Sequence, residues 1–228
     1  ADEVDTYDPI GNRLTAAGIP GNWSYNPNNE LLGYNGVSYA YDDNGNMCTK
    51  TLDGQDINYI YDAEDRLVRV EHGTGSVIAE YYYDPFGRRL WKDVDGQRRY
   101  FLYSDEGLIG EYDSSGAEIR TYGYEPDSVW STGPLFQKVG GVYYWYQNDH
   151  LGTPQKLVDP GGTTVWSATY DSFGNTQIDN AGIENNLRFP GQYYDEETGL
   201  HYNWHRYYDP VIGRYLTADP LEDGLNLY

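Results

Sequence analysis

Tyr83-Asp84-Pro85-Phe86-Gly87-Arg88-Arg89 is the stretch that decides the fold, because the same phrase returns along the chain. It stands as Tyr7-Asp8-Pro9-Ile10-Gly11-Asn12-Arg13, as Tyr41-Asp42-Asp43-Asn44-Gly45-Asn46, as Tyr61-Asp62-Ala63-Glu64-Asp65-Arg66 and as Tyr170-Asp171-Ser172-Phe173-Gly174-Asn175. Looser copies open at Tyr25, Tyr103, Tyr112, Tyr194 and Tyr208. Copies that begin at residues 7, 25, 41, 61 and 83 lie 16 to 22 residues apart, which is the spacing of a repeat architecture.

Each copy reads as a strand that ends in a turn. Asp at the first turn position bonds backbone amides ahead of it, and Gly three residues later supplies the positive φ from which the next strand starts. The flanks alternate in period two, as in Ser38-Tyr39-Ala40-Tyr41 and Asn58-Tyr59-Ile60-Tyr61. One turn per 16 to 22 residues leaves room for two strands of about 5–6 residues per repeat. The fold class is therefore all-β, antiparallel strand-turn-strand repeats in a sheet strip with little or no helix. No window carries a helical apolar stripe, and 27 Gly and 11 Pro interrupt every candidate. Twenty-six Tyr against five Phe predicts a thin wall whose ring hydroxyls reach a wet rim.

Composition excludes several classes. A net charge of −21 opposes nucleic acid and anionic membrane surfaces. No apolar run approaches the ~20 residues of a membrane-spanning helix. One cysteine, Cys48, rules out an intrachain disulfide framework. The acidic start lacks a signal-peptide pattern and opens in mid-repeat, which reads as a cut inside a longer array.

Residues 1–138 form the regular array, interrupted near Pro126–Pro134 by an elongated hairpin or an insertion loop. Residues 139–228 are denser in aromatics and carry the phrases Asn148-Asp149-His150-Leu151-Gly152-Thr153-Pro154, Arg188-Phe189-Pro190-Gly191-Gln192-Tyr193-Tyr194-Asp195 and Arg214-Tyr215-Leu216-Thr217-Ala218-Asp219-Pro220. On these residues the chain resembles the Rhs/YD-repeat proteins over essentially its whole length. Residues 188–220 are similar to the Rhs-associated core that ends the array.

The resemblance implies a β-strip that spirals into a shell around an attached C-terminal toxin or effector, in proteins that are secreted or displayed at the cell surface. It places one aspartate of an aspartyl self-cleavage site at Asp219, with Arg214 in support. Such a mechanism needs two carboxylates sharing a proton. The family's second Asp-Pro-x-Gly phrase does not occur before Tyr228, and Glu222-Asp223 stand where the family has a Gly-rich stretch. Asp219 is therefore expected to be a turn residue, with no enzymatic activity in these residues alone.

Other candidates are weaker. His201 and His205 stand four apart and would share a face of a strand, but no third metal ligand follows. His150 has Asp149 beside it and no nucleophile phrase. Asp42-Asp43-Asn44-Gly45-Asn46 lacks the closing Glu of a calcium loop and coincides with a repeat turn. Asn22-Trp23-Ser24 is formally a glycosylation sequence. Trp130, Trp145, Trp166 and Trp204 offer sugar-stacking surfaces, so a glycan-binding adhesive module is the alternative function. No cofactor or metal is expected, and the open sheet edges predict self-association.

Overall fold

A computed structural model describes residues 4–16, 18–221 and 227–228. The Glu222-Asp223 pair lies outside them. By compactness the chain forms two units, one of residues 1–78 with 214–228 and one of residues 79–213. Among the described residues every regular element is a strand.

The first unit begins with a short hairpin, β1 (Thr6–Tyr7) and β2 (Arg13–Thr15). Six strands follow, each paired antiparallel with its chain neighbour: β3 (Ser24–Tyr25), β4 (Leu31–Tyr34), β5 (Val37–Tyr41), β6 (Met47–Leu52), β7 (Gln55–Tyr61) and β8 (Leu67–His72). The second unit continues the pattern through ten strands. These are β9 (Val77–Tyr83), β10 (Arg89–Val94), β11 (Gln97–Ser104), β12 (Gly107–Asp113), β13 (Glu118–Gly123), β14 (Phe136–Val139), β15 (Val142–Asn148), β16 (Pro154–Val158), β17 (Thr164–Tyr170) and β18 (Thr176–Ala181). The chain then leaves the meander and builds β19 (Tyr193–Asp195), β20 (Leu200–Asn203) and β21 (Arg206–Asp209). A last strand, β22 (Arg214–Tyr215), belongs to the first unit.

The repeat turn is one geometry used many times. In each strict copy Tyr pairs across the turn with the residue six positions on: Tyr7 with Arg13, Tyr41 with Met47, Tyr61 with Leu67, Tyr83 with Arg89 and Tyr170 with Thr176. Asp lies between them and caps the loop. Asp84 Oδ1 accepts from the amides of Phe86 at 2.8 Å and Arg88 at 2.9 Å, and the Gly87 amide donates to the Asp84 carbonyl at 3.0 Å. Asp8, Asp42, Asp62 and Asp171 make the same pair of amide contacts, at +2 and +4. Gly11, Gly45, Gly87 and Gly174 all have φ between 78° and 89°, and Asp65 fills that place at 57°. Asn26 and Asp113 belong to the looser copies and cap in the same way, and so do Asp149 and Asp159, which have no preceding Tyr. The carboxamide or carboxylate makes the turn, and Tyr is not needed for it.

The opposite edge uses tighter turns. Asn35-Gly36, Asp53-Gly54, Asp95-Gly96 and Gly140-Gly141 all have positive φ at both positions, the two-residue loop that matches strand twist. That edge also carries the wider loops capped by Asp113 and Asp159, so both turn types serve it. Tyr103-Ser-Asp-Glu-Gly107 departs from the expected copy, because Ser104 pairs directly with Gly107 in a two-residue hairpin. Its serine hydroxyl donates to Glu106 Oε2 at 2.7 Å and accepts from the Glu106 amide at 3.2 Å. Residues 124–135 form an insertion loop between β13 and β14.

The prevalence of tyrosine has a structural cause other than the wet rim. Tyr25 OH donates to the Arg13 carbonyl at 2.8 Å, Tyr61 to Met47 at 2.9 Å, Tyr103 to Arg89 at 3.0 Å and Tyr170 to Pro154 at 2.7 Å. In each case the acceptor is the first strand residue after the preceding turn on that edge, so the hydroxyl stitches one repeat to the next. Nine tyrosines are buried outright, among them Tyr81, Tyr83, Tyr122, Tyr193, Tyr202 and Tyr207. Tyr61→Phe is expected to cost about 1 kcal/mol in a denaturant titration, because it removes one hydrogen bond and keeps the ring. An unchanged midpoint would mean that the stitch adds nothing.

Candidate functional site

The residue six positions after the repeat Tyr is a core position. Leu31, Met47 and Leu67 occupy it at 0–2 % exposure, and in the second unit Arg89 occupies it at 0 %. Neighbouring Arg88 bonds back to Asp84 Oδ2 at 2.7 Å, and strand alternation turns Arg89 to the other face. There its guanidinium donates to Asp195, Nη1 to Oδ2 at 2.5 Å and Nη2 to Oδ1 at 3.0 Å, a bidentate pair between two fully buried groups. Five rings surround the cation: Tyr81, Phe101, Tyr193, Tyr202 and Tyr207 lie 4.5–6.0 Å from it. Lys92 donates to Asp195 Oδ1 at 2.9 Å and to Glu197 Oε2 at 2.9 Å.

The Tyr194-Asp195 phrase therefore departs from the repeat turn. Its carboxylate faces Arg89 and Lys92, and only its carbonyl serves the turn, accepting from the Gly199 amide at 2.8 Å. Burial by itself would raise the Asp195 carboxyl, but the charges of Arg89 and Lys92 outweigh it and hold the pKa below its usual value. Glu197 goes the other way, raised by burial and by the Asp195 charge.

A second cluster repeats the arrangement. Glu111 on β12, at 0 % exposure, accepts from Arg99 at 2.8 Å, Tyr193 OH at 3.1 Å and Tyr122 OH. Arg120 Nη2 and Arg99 Nη1 reach Glu184 at 2.6 and 3.0 Å, and the Glu184 carbonyl accepts from Arg120 and from Gln137 Nε2. In both clusters the meander supplies the cations and residues 184–197 supply acids. Strands β10, β11 and β13 are thus fastened to the segment that follows β18 by four cations against three acids, with Glu111 of β12 as the fourth acid.

Burial raises Glu184, but Arg120 and Arg99 prevail and lower its pKa to about 2. Glu184 and Asp195, both depressed, contribute stability that is complete above the unfolded value near 4 and is lost as pH falls through their folded values. Glu197, raised, gains as pH falls and opposes them. Thermal melting is expected to weaken most steeply between about pH 4 and pH 2. Glu184→Gln should flatten that slope, and a profile identical to the parent's would remove Glu184 from the account.

The expected site residues fall elsewhere. Asp219 is half-buried in the first unit, where its Oδ1 accepts from the Leu221 amide at 2.9 Å and its own amide donates to the Leu227 carbonyl at 2.7 Å. That is turn geometry. Arg214 is buried and donates to Asn12 Oδ1 at 3.1 Å and to the Asn29 carbonyl, under the rings of Tyr25 and Tyr228. It joins the turns capped by Asp8 and Asn26.

His201 and His205 do not share a strand face. β20 ends at Asn203, Trp204 turns at φ 52°, and His201 pairs with Tyr208 on β21. His201 is buried, bonded through Nδ1 to Gln192 Oε1 at 2.6 Å, with its pKa pushed down to about 3 by burial and by Arg188. His205 is exposed. Asp149 spends its carboxylate on the Leu151 and Thr153 amides, with exposed His150 on the same turn. In the Asp42 loop, Asn44 and Asn46 donate to Asp65 Oδ1 at 3.0 and 2.7 Å, linking adjacent repeat turns. Trp166 is 1 % exposed and packs with Leu157 and Ala168. Trp204 Nε1 donates to the Phe86 carbonyl, and its ring lies 4.2 Å from Trp130. Among the four tryptophans singled out, Trp145 stays half exposed.

Asp-capped strand pairs stitched by tyrosine, with buried acids supplied by a terminal segment, define the class as a YD-repeat β-strip. The teneurin YD-shell profile matches residues 3–225, and the chain belongs to that family. It is 31% identical over 263 residues to double-stranded DNA deaminase toxin A of Burkholderia cenocepacia, covering 99% of this chain and 18% of that protein. It is 35% identical over 227 residues to tRNA nuclease WapA of Bacillus subtilis, covering 94% of this chain and 9% of that one. Among solved structures, the fold is similar to the Photorhabdus luminescens Tc holotoxin pore at TM-score 0.59 and 17% identity, and to the TcdB2-TccC3-TEV crystal structure at TM-score 0.58 and 18% identity. Each alignment covers 99% of this chain and 16% of the other. The chain spans less than a fifth of the length of these relatives.

Proposed function

We propose that these residues form part of the wall of a hollow β-shell that encloses the toxin or effector portion of a longer, exported protein. The supporting observation is the family match over residues 3–225, joined to relatives many times longer that are named as a deaminase toxin and a nuclease. The buried charge clusters suit such a wall, because they fasten the strand array to the segment that follows it without any reactive group. The test uses the longer protein with its native downstream sequence. The C-terminal portion should resist added protease until the shell is unfolded, and cleavage at the rate of the isolated portion would refute enclosure.

Self-cleavage through Asp219 is a proposal that rests on the resemblance. In the longer protein Asp219→Asn should abolish a spontaneous cut, and a cut that persists would end it. Association is proposed through β18, which among the described residues pairs with β17 alone and presents Ile178 at 45 % exposure. Sedimentation should show concentration dependence; a strict monomer over a wide range contradicts it.

A further inference from the structure

We infer that Tyr228, seated over the bare Cα of Gly45, is the residue that positions Asp219. Its effect on a cut rests on the self-cleavage proposal, whereas its hold on Asp219 does not. Gly45 takes the +3 place of the turn capped by Asp42, at φ 82°. A Cβ there would stand 2.7 Å from the Tyr228 hydroxyl and 3.9 Å from the Ala218 Cβ, so the missing side chain makes room for both. Gly87 and Gly174 seat rings in the same way, with His205 and Phe189 at 3.0 and 2.9 Å from an added Cβ.

The socket has several walls. Tyr228 Oη can donate to the Gly45 carbonyl at 2.9 Å and to Glu30 Oε1 at 3.3 Å. The Tyr41 ring meets the Tyr228 ring edge-on at 5.9 Å, and the Arg214 guanidinium lies 5.4 Å from its centre. Burial and the Glu30 charge push the phenol pKa up, so the hydroxyl stays a donor. Tyr41 and Gly45 belong to one repeat copy, so the repeat turn itself supplies two of the walls.

A short path leads from the socket to Asp219. Leu227, next to the anchor, accepts from the Asp219 amide at 2.7 Å. On the other side the Leu216 carbonyl accepts from the Met47 amide at 2.8 Å, at the first strand residue after the same turn. Asp219 is thus held between two points fixed to one turn. The ring hydroxyl sets the second of them. A groove of about 770 Å³ runs alongside, lined by the turns capped by Asn26 and Asp42 and by Ala218, Leu227 and Tyr228. It gives a further stretch of chain a way past Asp219.

The test has two readouts. In the 228-residue chain, hydrogen exchange of the Asp219 amide is followed by NMR, and Tyr228→Phe, which keeps the ring, should speed it about tenfold or more. Gly54→Ala, where nothing lies within 4 Å of the added Cβ, should leave it unchanged. In the longer protein with its native downstream sequence, Tyr228→Phe should slow the spontaneous cut about tenfold or more with near-UV circular dichroism unchanged. Gly45→Ala should slow it at least as far, and Tyr228→Phe added to it should cause no further loss, because Cβ and hydroxyl compete for one place. Three results overturn the inference: unaltered Asp219 exchange in Tyr228→Phe, a cut that keeps its rate in that variant, or a Gly54→Ala that matches Gly45→Ala. A longer protein that never cuts, with Asp219 exchange still governed by Tyr228, ends the self-cleavage proposal and upholds the positioning.

Discussion

Asp195→Ala is expected to lower the stability of the second unit by about 3–5 kcal/mol, the range for removing one member of a buried ion pair. In a chain of this size that shifts the melting midpoint by roughly 10 °C. The reason is what remains. Arg89 is fully buried, its Nη1 would keep Tyr207 OH at 3.1 Å, and five rings would face a cation with no counter-charge. Lys92 would retain Glu197 but lose its second acid. A paired change, Asp195→Leu with Arg89→Met, should recover much of the loss, because an apolar pair avoids the desolvation that the ion pair must overcome. A loss under about 1 kcal/mol for the single variant would mean that the pair is solvated in solution.

Gly107→Ala should have the second largest effect, about 3 kcal/mol or more. Gly107 has φ 129°, outside the region open to L-residues, and a Cβ there would stand 2.2 Å from Ser131 Oγ and 2.6 Å from its backbone nitrogen. Both the backbone and the insertion loop would have to move. That loop carries Trp130, stacked on Tyr103 at 5.5 Å, so a red-shifted tryptophan emission should accompany the loss. Gly116→Ala is the control. Its φ of 82° also opposes a side chain, but nothing lies within 4 Å of the added Cβ. It should cost about 1 kcal/mol. Equal costs at the two positions would refute the steric argument.

Much of the fold was legible because the repeat turn is local chemistry. Asp, its +2 and +4 amides and the Gly at +3 lie within five residues, so strand spacing follows from reading Tyr83–Arg89 alone. Asp149 and Asp159 cap the same turn with no Tyr before them, so Asp-x-x-Gly is the only local mark they carry. The charge clusters were harder to see. One signal existed: Arg13 and Arg89 stand where the other early copies place Leu or Met, and an arginine at a core position must find an acid. Nothing local says which acid.

The sequence by itself determined the turns, the two strands per repeat and the antiparallel order, since each depends on hydrogen bonds between residues a few positions apart. Only the tertiary structure decided which partner the Asp195 carboxylate takes. Two phrases that begin alike, Tyr83-Asp84 and Tyr194-Asp195, end differently because one carboxylate meets nearby amides and the other meets a buried guanidinium 106 positions away. The attraction between opposite charges removed from water exceeds that of a turn amide, and that attraction is set by folding.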